Sequence, residues 1–173
     1  DVVADLGRIC KPFSVRLIHL STDYVFDGQA YRPYPTTAAC GPINVYGRSK
    51  WEGEEALRAL ALPNSLILRT SWLYSVYGNN FVKTMLRLGQ LQEEVQVVAD
   101  QVGRPTCAED LARFIVTQLL DFESSQTETY HYANAGLCSW YDLAVHIMQN
   151  SKSACRVAPI PASAYATPAA RPY

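Results

Sequence analysis

The chain has 173 residues, 49% of them hydrophobic and 18% charged, with a formal net charge of -1; this is the composition of a globular domain able to bury about two-thirds of its unfolded surface, and it excludes a disordered or fibrous chain. So small a charge, with no run of basic residues longer than two, excludes a general field for nucleic acid or an anionic membrane, and an anionic ligand has to be held locally. No apolar run reaches the roughly 18 residues a membrane helix needs, and Asp1-Val2-Val3-Ala4-Asp5 has neither the basic nor the apolar region of a signal peptide, so a cytoplasmic location is expected.

Strand-like and helix-like patterns alternate along the chain, which predicts an α/β fold with a largely parallel sheet. Residues 2–9 read as the end of a helix, and with Asp at position 1 the chain is expected to start within a longer protein. A buried strand is predicted at 16–21, then a loop rich in Pro and Tyr at 27–42 and a helix at 44–61. A strand at 65–70, a helix at 79–91 and a short strand at 95–98 follow. The next helix, 108–121, carries Leu111, Ile115 and Leu119 on one stripe, and a polar loop at 123–128 leads to a strand at 129–133. The last helix, 139–150, opens with Ser139 three residues before Asp142, a capping box with Asp in place of Glu. From Ala158 onward four prolines predict an extended or irregular tail. The five cysteines are odd in number and never paired as C-x-x-C, so they read as small buried or half-buried apolar residues rather than disulfides or a zinc site. His19, His131 and His146 lack partners at ligand spacing, which predicts no metal site in this chain.

Tyr46 and Lys50 carry the clearest chemistry. Four residues apart on a helix, they share a face with Cβ atoms roughly 6 Å apart. A free phenol titrates near 10, too high for an efficient proton carrier at neutral pH; a cation about 6 Å away favours the phenolate by roughly 3 kcal/mol at an effective dielectric near 20. Gly53, Leu57 and Leu60 continue that face, and Gly53 implies a close approach of the helix to a strand. An exposed Tyr and Lys at this spacing is also a common chance pattern. The segment Ser21-Thr22-Asp23-Tyr24-Val25-Phe26-Asp27-Gly28 adds a second signal. It crowds hydroxyl and carboxylate groups at the carboxyl end of a strand, where open α/β sheets bind ligands, and Thr22 there can stabilise a substrate oxygen. Asp27-Gly28 is turn chemistry; the preceding residues are not explained by a turn.

S-T-D-Y-V-F-D-G, P-x-N-x-Y-G-x-S-K, R-T-S-W-L-Y, G-N-N-F-V-K-T-M-L-R and D-Q-V-G-R-P-T, in this order, resemble the dTDP-4-dehydrorhamnose reductases, the RmlD-like branch of the extended short-chain dehydrogenases. The resemblance runs from end to end of the chain. It implies a partial Rossmann-like, doubly wound parallel sheet with part of a small C-terminal substrate-binding domain, divided as 1–98 and 99–173. The glycine-rich turn expected for the cofactor pyrophosphate has no counterpart in the chain, so the chain alone is expected to be inactive.

The resemblance further implies that Thr22, Tyr46 and Lys50 are catalytic, with a hydride from NADPH or NADH reaching C4 of the 4-keto sugar while Tyr46 gives the proton. Ser21, Tyr46, Lys50, Thr70 and Ser71 match cofactor positions. Thr22, Asp23, Tyr24, Trp72, Asn80 and Gln101 match the sugar-nucleotide pocket, with Arg104, Pro105, Thr106 and Arg171 as weaker matches near it. By their own chemistry Trp72 reads equally as core, Asn80 as a helix cap and Arg104 as a surface cation. The implied partner is a dTDP-sugar, with a homodimer as the admissible assembly, no nucleic acid or membrane partner, and any Mg2+ bound outside this chain. Two other families share parts of the pattern. The methionine adenosyltransferase beta subunit, a non-catalytic regulator, has S-x-D-Y-V-F-D-G and Y-G-x-x-K; other NDP-sugar epimerases and dehydratases share the Tyr and Lys. R-T-S-W-L-Y and D-Q-x-G-x-P-T favour the reductases.

Overall fold

A computed structural model describes residues 2–165. In chain order its regular elements are α1 (Val2–Cys10), β1 (Ile18–Thr22), α2 (Val45–Leu60), β2 (Leu66–Thr70), β3 (Leu73–Tyr74), α3 (Phe81–Leu91), β4 (Glu94–Val98), β5 (Val102–Gly103), β6 (Thr106–Cys107), α4 (Ala108–Phe114), β7 (Glu128–His131), β8 (Cys138–Ser139), α5 (Trp140–Ser151) and β9 (Arg156–Ile160). They form two compact units. Of the described residues, one takes 2–70 together with Arg113–Tyr132; the other takes Ser71–Ala112 and 133–165.

The first unit is a parallel sheet of order β1-β2-β7. Parallel neighbours need a crossover, and α2 supplies it between β1 and β2. All five residues of β2 are buried, as expected of a strand flanked on both edges and covered on its faces, and its centre, Leu66-Ile67-Leu68, reads as an apolar run before Arg69 and Thr70. The register pairs Ser21 with Arg69 and Thr22 with Thr70, so both strands end at one level. Leu57, Leu62 and Ile67 form the core between α2 and β2, with Val3, Leu17 and Leu60 packed around them. The expected reason for Gly53 is amended here: the nearest atom to a Cβ at that position is on Val3 of α1, at 3.1 Å, with His19 of β1 behind it at 3.8 Å. The glycine serves a helix-helix contact first.

In the second unit, α3 and α5 pack on the parallel pair β4-β9 around Met85, Val95, Val97, Ala144, Ile147, Met148 and Cys155. The Ser139 and Asp142 capping box opens α5 with both reciprocal hydrogen bonds present. The tail expected to be extended or irregular from Ala158 is extended as far as Ile160, as part of a strand: β9 runs beside β4 with Pro159 opposite Val97. Among the described residues β9 pairs with β4 alone, and an edge strand tolerates the missing N–H of proline. The helix expected at 108–121 is α4 followed by a π-type segment, Ile115–Leu119. Four of the cysteines are half-buried, Cys155 is buried, and all are free thiols. No helix among the described residues is long and apolar enough to cross a membrane.

Candidate active site

Three local features bring the first unit's polar residues together. At the carboxyl end of β1, Thr22 Oγ1 accepts from Tyr24 N at 3.3 Å and donates to Asp23 Oδ1 at 3.0 Å, which folds the chain into the short 3-10 turn Asp23–Val25. Asn44 caps α2 by accepting from Gly47 N at 2.7 Å, which fixes where the helix starts. Gly47 then lets that first turn seat on the 3-10 turn, since a Cβ there would lie 2.0 Å from the Tyr24 carbonyl oxygen. The result sets Tyr46 against Tyr24, edge to face, with ring centroids 5.5 Å apart.

Tyr46 remains 53% exposed. Lys50 is half-buried, and its Nζ donates to the Leu20 carbonyl of β1 at 2.6 Å. Burial lowers the Lys50 pKa, and the Glu54 carboxylate opposes that shift. Thr22 and Thr70 are buried side by side in the register at the strand ends. Thr70 Oγ1 has no hydrogen-bond partner among the described residues.

A charged cluster lies directly beneath. Glu54, fully buried on α2, accepts from Ser21 Oγ at 2.5 Å, from Arg69 Nε at 2.9 Å and Nη2 at 2.6 Å, and from Arg58 Nη2 at 2.8 Å. Burial alone would raise the Glu54 pKa; the Arg69 and Ser21 hydrogen bonds, with the charges of Arg69 and Arg58, outweigh it and hold the carboxyl below its usual range. Arg69 also reaches the loop, donating to Cys40 Sγ at 3.2 Å and to the Thr36 carbonyl at 3.4 Å, while Phe26 lies under its guanidinium at 4.9 Å. Reading of the sequence missed Glu54, Arg69 and Gly47. The available signal was Arg69 itself: a charge inside an otherwise apolar buried strand requires an acidic partner.

The structure brings Ser21, Thr22, Asp23, Tyr24, Tyr46, Lys50 and Thr70 to one end of the first unit. The Ser21 hydroxyl is committed to Glu54, so a cofactor contact through that side chain is not what this geometry shows. Ser71, Trp72, Asn80, Gln101 and Arg104 belong to the second unit. Ser71 Oγ donates to the Arg104 carbonyl at 3.1 Å, and the Arg104 side chain is exposed. Trp72 adopts φ 49° and stacks on Trp140 with centroids 3.4 Å apart, against Gly103, whose missing Cβ leaves room for the indole. Asn80 acts as the cap of α3, accepting from Lys83 N and donating to the Ser75 carbonyl. Gln101 is half-buried just before β5, Pro105 is half-buried and Thr106 is buried. Arg171 lies outside the described residues.

A Thr at the carboxyl end of a parallel strand, with a Tyr and a Lys one turn apart at the start of the crossover helix that follows, defines an α/β protein of the short-chain dehydrogenase type. The profile of the RmlD substrate binding domain matches residues 1–173. A dTDP-4-keto-6-deoxy-D-glucose reductase of Streptomyces niveus is 48% identical over 140 residues, 81% of this chain and 48% of that protein. The dTDP-4-dehydrorhamnose reductase of Sinorhizobium fredii is 44% identical over 99% of this chain and 60% of its own length. The crystal structure of the Bacillus anthracis dTDP-4-dehydrorhamnose reductase in complex with NADP superposes with a TM-score of 0.91 at 40% identity, covering 98% of this chain and 59% of that one. The chain belongs to the RmlD substrate binding domain family, and its fold is the Rossmann-like α/β fold of those reductases. It spans about half to three-fifths of the length of these relatives.

Proposed function

We propose that the full-length protein is an NADPH- or NADH-dependent oxidoreductase that reduces the C4 keto group of dTDP-4-dehydro-L-rhamnose to dTDP-L-rhamnose, supplying nucleotide sugar for cell-surface polysaccharide in the cytoplasm. The observation that carries the reading is the meeting of Thr22, Tyr46 and Lys50 at one sheet end, in a chain matched over its whole length by this family. The residues present fit a nicotinamide cofactor: Thr70 offers a buried hydroxyl with no partner among the described residues, and Lys50 retains donors beyond the one on Leu20. Thr70, Ser71, Tyr46 and Lys50 would hold it, and when bound it supplies the hydride.

The protein's own work is proton delivery and orientation. Tyr46 gives its hydroxyl proton to the sugar oxygen as charge develops there, and Thr22 hydrogen-bonds that same oxygen. Lys50, anchored on Leu20, keeps a cation beside the phenol and is left with N–H groups for ribose hydroxyls. Asp23 and Tyr24 of the first unit are assigned to the sugar; Trp72, Asn80, Gln101 and Arg104 of the second unit are assigned, each by itself, to substrate binding. The test is nicotinamide oxidation by the full-length protein with dTDP-4-dehydrorhamnose and, separately, dTDP-4-keto-6-deoxy-D-glucose, the two substrate types the relatives' names carry. Turnover of the first supports the proposal; turnover of the second alone reassigns the sugar, and dinucleotide binding with neither turned over refutes it.

A further inference from the structure

The buried cluster beneath the site has no part in the proton transfer described above, yet it joins every element that carries the site. We propose that Glu54 is the positioning residue of this site: it fixes the helix bearing Tyr46 and Lys50 onto the strand ends bearing Thr22 and Thr70, and it supplies the negative charge that Lys50 faces. The assignment rests on the reading of Tyr46 and Lys50 as the proton-delivering pair.

Glu54 lies one helical turn after Lys50 and two after Tyr46, on the same face of α2. Its two oxygens accept from Ser21 at the end of β1 and from Arg69 near the end of β2, each one residue before a site threonine. Arg58 fills a further acceptor position from within α2. An ionised carboxylate offers about four acceptor sites and no donor, and these contacts occupy them, so glutamine cannot replace glutamate without aiming a donor at a guanidinium. α2 is thereby held in rotation and along its axis by three charge-assisted contacts, which are shorter and stronger than neutral ones. The groups that act on Lys50 are the Leu20 carbonyl and His19 from β1 and Glu54 from α2; Tyr46 lies one turn earlier on α2, with Tyr24 of the 3-10 turn packed on it. Of these Glu54 is the acid, and Arg69 of β2 and Arg58 keep it ionised.

The experiment compares Glu54→Gln and Glu54→Asp in the full-length protein by two readouts. The first is the pH dependence of acetylation at Lys50, followed by mass spectrometry, which needs neither substrate nor turnover. Loss of the carboxylate removes the charge that opposes the effect of burial on Lys50, so in Glu54→Gln its reaction midpoint is expected to fall, by roughly one pH unit. The second is kcat with its alkaline limb, where Glu54→Gln moves the limb down by the same amount. Glu54→Asp keeps the charge on a shorter arm, so its Lys50 midpoint stays at the wild-type value while kcat falls about tenfold or more. A folded Glu54→Gln protein with an unshifted Lys50 midpoint overturns the proposal, as does Glu54→Asp at wild-type kcat. Where Glu54→Gln does not fold, the Asp variant alone decides. A wild type without turnover refutes the reductase reading, and the Lys50 midpoints still judge Glu54.

Discussion

Substituting Gly47 by alanine separates two opposed effects. On intrinsic propensity Ala in a helix is better than Gly by roughly 0.5–1 kcal/mol, so a helix free of its surroundings would be stabilised. Here a Cβ would sit 2.0 Å from the Tyr24 carbonyl oxygen and 2.9 Å from its carbon, and both atoms belong to backbone that cannot swing aside. Restoring even a 3.0 Å separation from the oxygen requires a shift of 3.0 − 2.0, or about 1 Å, between the first turn of α2 and the 3-10 turn. Overpacking on this scale costs about 1–3 kcal/mol, more than the propensity gain. The shift falls between Tyr46 and Thr22, and a misplacement of about 1 Å at a reacting centre can cost on the order of 100-fold in rate. Gly47→Ala is therefore expected to lower the thermal midpoint and to reduce kcat/KM roughly 100-fold, measured by scanning calorimetry and nicotinamide oxidation on the full-length protein. A variant as stable as wild type, within twofold of its kcat/KM, would refute this account of why α2 starts where it does.

Three further outcomes follow from the contacts. Arg69→Met leaves the Glu54 carboxylate buried without its main partner, and urea unfolding is expected to show a loss of about 3–5 kcal/mol. Ser139→Ala removes the cap hydrogen bond that the Ser139 hydroxyl accepts from Asp142 N, leaving the Ser139 N–H bond to Asp142, and is expected to cost about 1 kcal/mol by the same measurement, with kcat unchanged. Acidification should weaken the fold in two stages. Burial, with Lys50 adding to it at His19 and Arg69 at His131, lowers the pKa of both imidazoles below the ordinary 6.5, so the folded state resists their protonation. Stability is then full above about 6.5 and declines as pH falls below it. Glu54 and Asp142, whose carboxyls are held below their usual range, keep their contribution until pH drops under the ordinary carboxylate values, and lose it below that. Urea midpoints measured from pH 8 down to 3 check the order; a midpoint constant between 7 and 5 contradicts the histidine stage.

The alternation of strands and helices was readable because hydrophobic period and caps agreed: Asn44, Asn80 and Ser139 each cap the helix that their position foretells. The site was half readable. Tyr46, Lys50 and Thr22 are marked by local spacing, a property of one helix and one strand end. Glu54 was hidden because W-E-G-E-E-A-L-R reads as a solvated acidic face, and only the tertiary approach of Arg69 from β2 buries it. Gly47 was overlooked for a related reason: its demand comes from a carbonyl on another element, 23 residues earlier in the chain. The strand β9 was missed because proline argues against strands in general, whereas at an edge its missing N–H is harmless.

The most direct test of the central claim is the pre-steady-state rate of nicotinamide oxidation by the full-length protein with dTDP-4-dehydrorhamnose, wild type beside Tyr46→Phe. The phenylalanine variant keeps the edge-to-face contact with Tyr24 and removes only the hydroxyl, so dinucleotide affinity should hold within a few fold while the rate falls by roughly 100- to 10,000-fold, the usual contribution of a positioned general acid. A Tyr46→Phe protein that oxidises the nicotinamide at the wild-type rate would contradict the assignment of the proton donor, and with it the reading of this helix as the catalytic one.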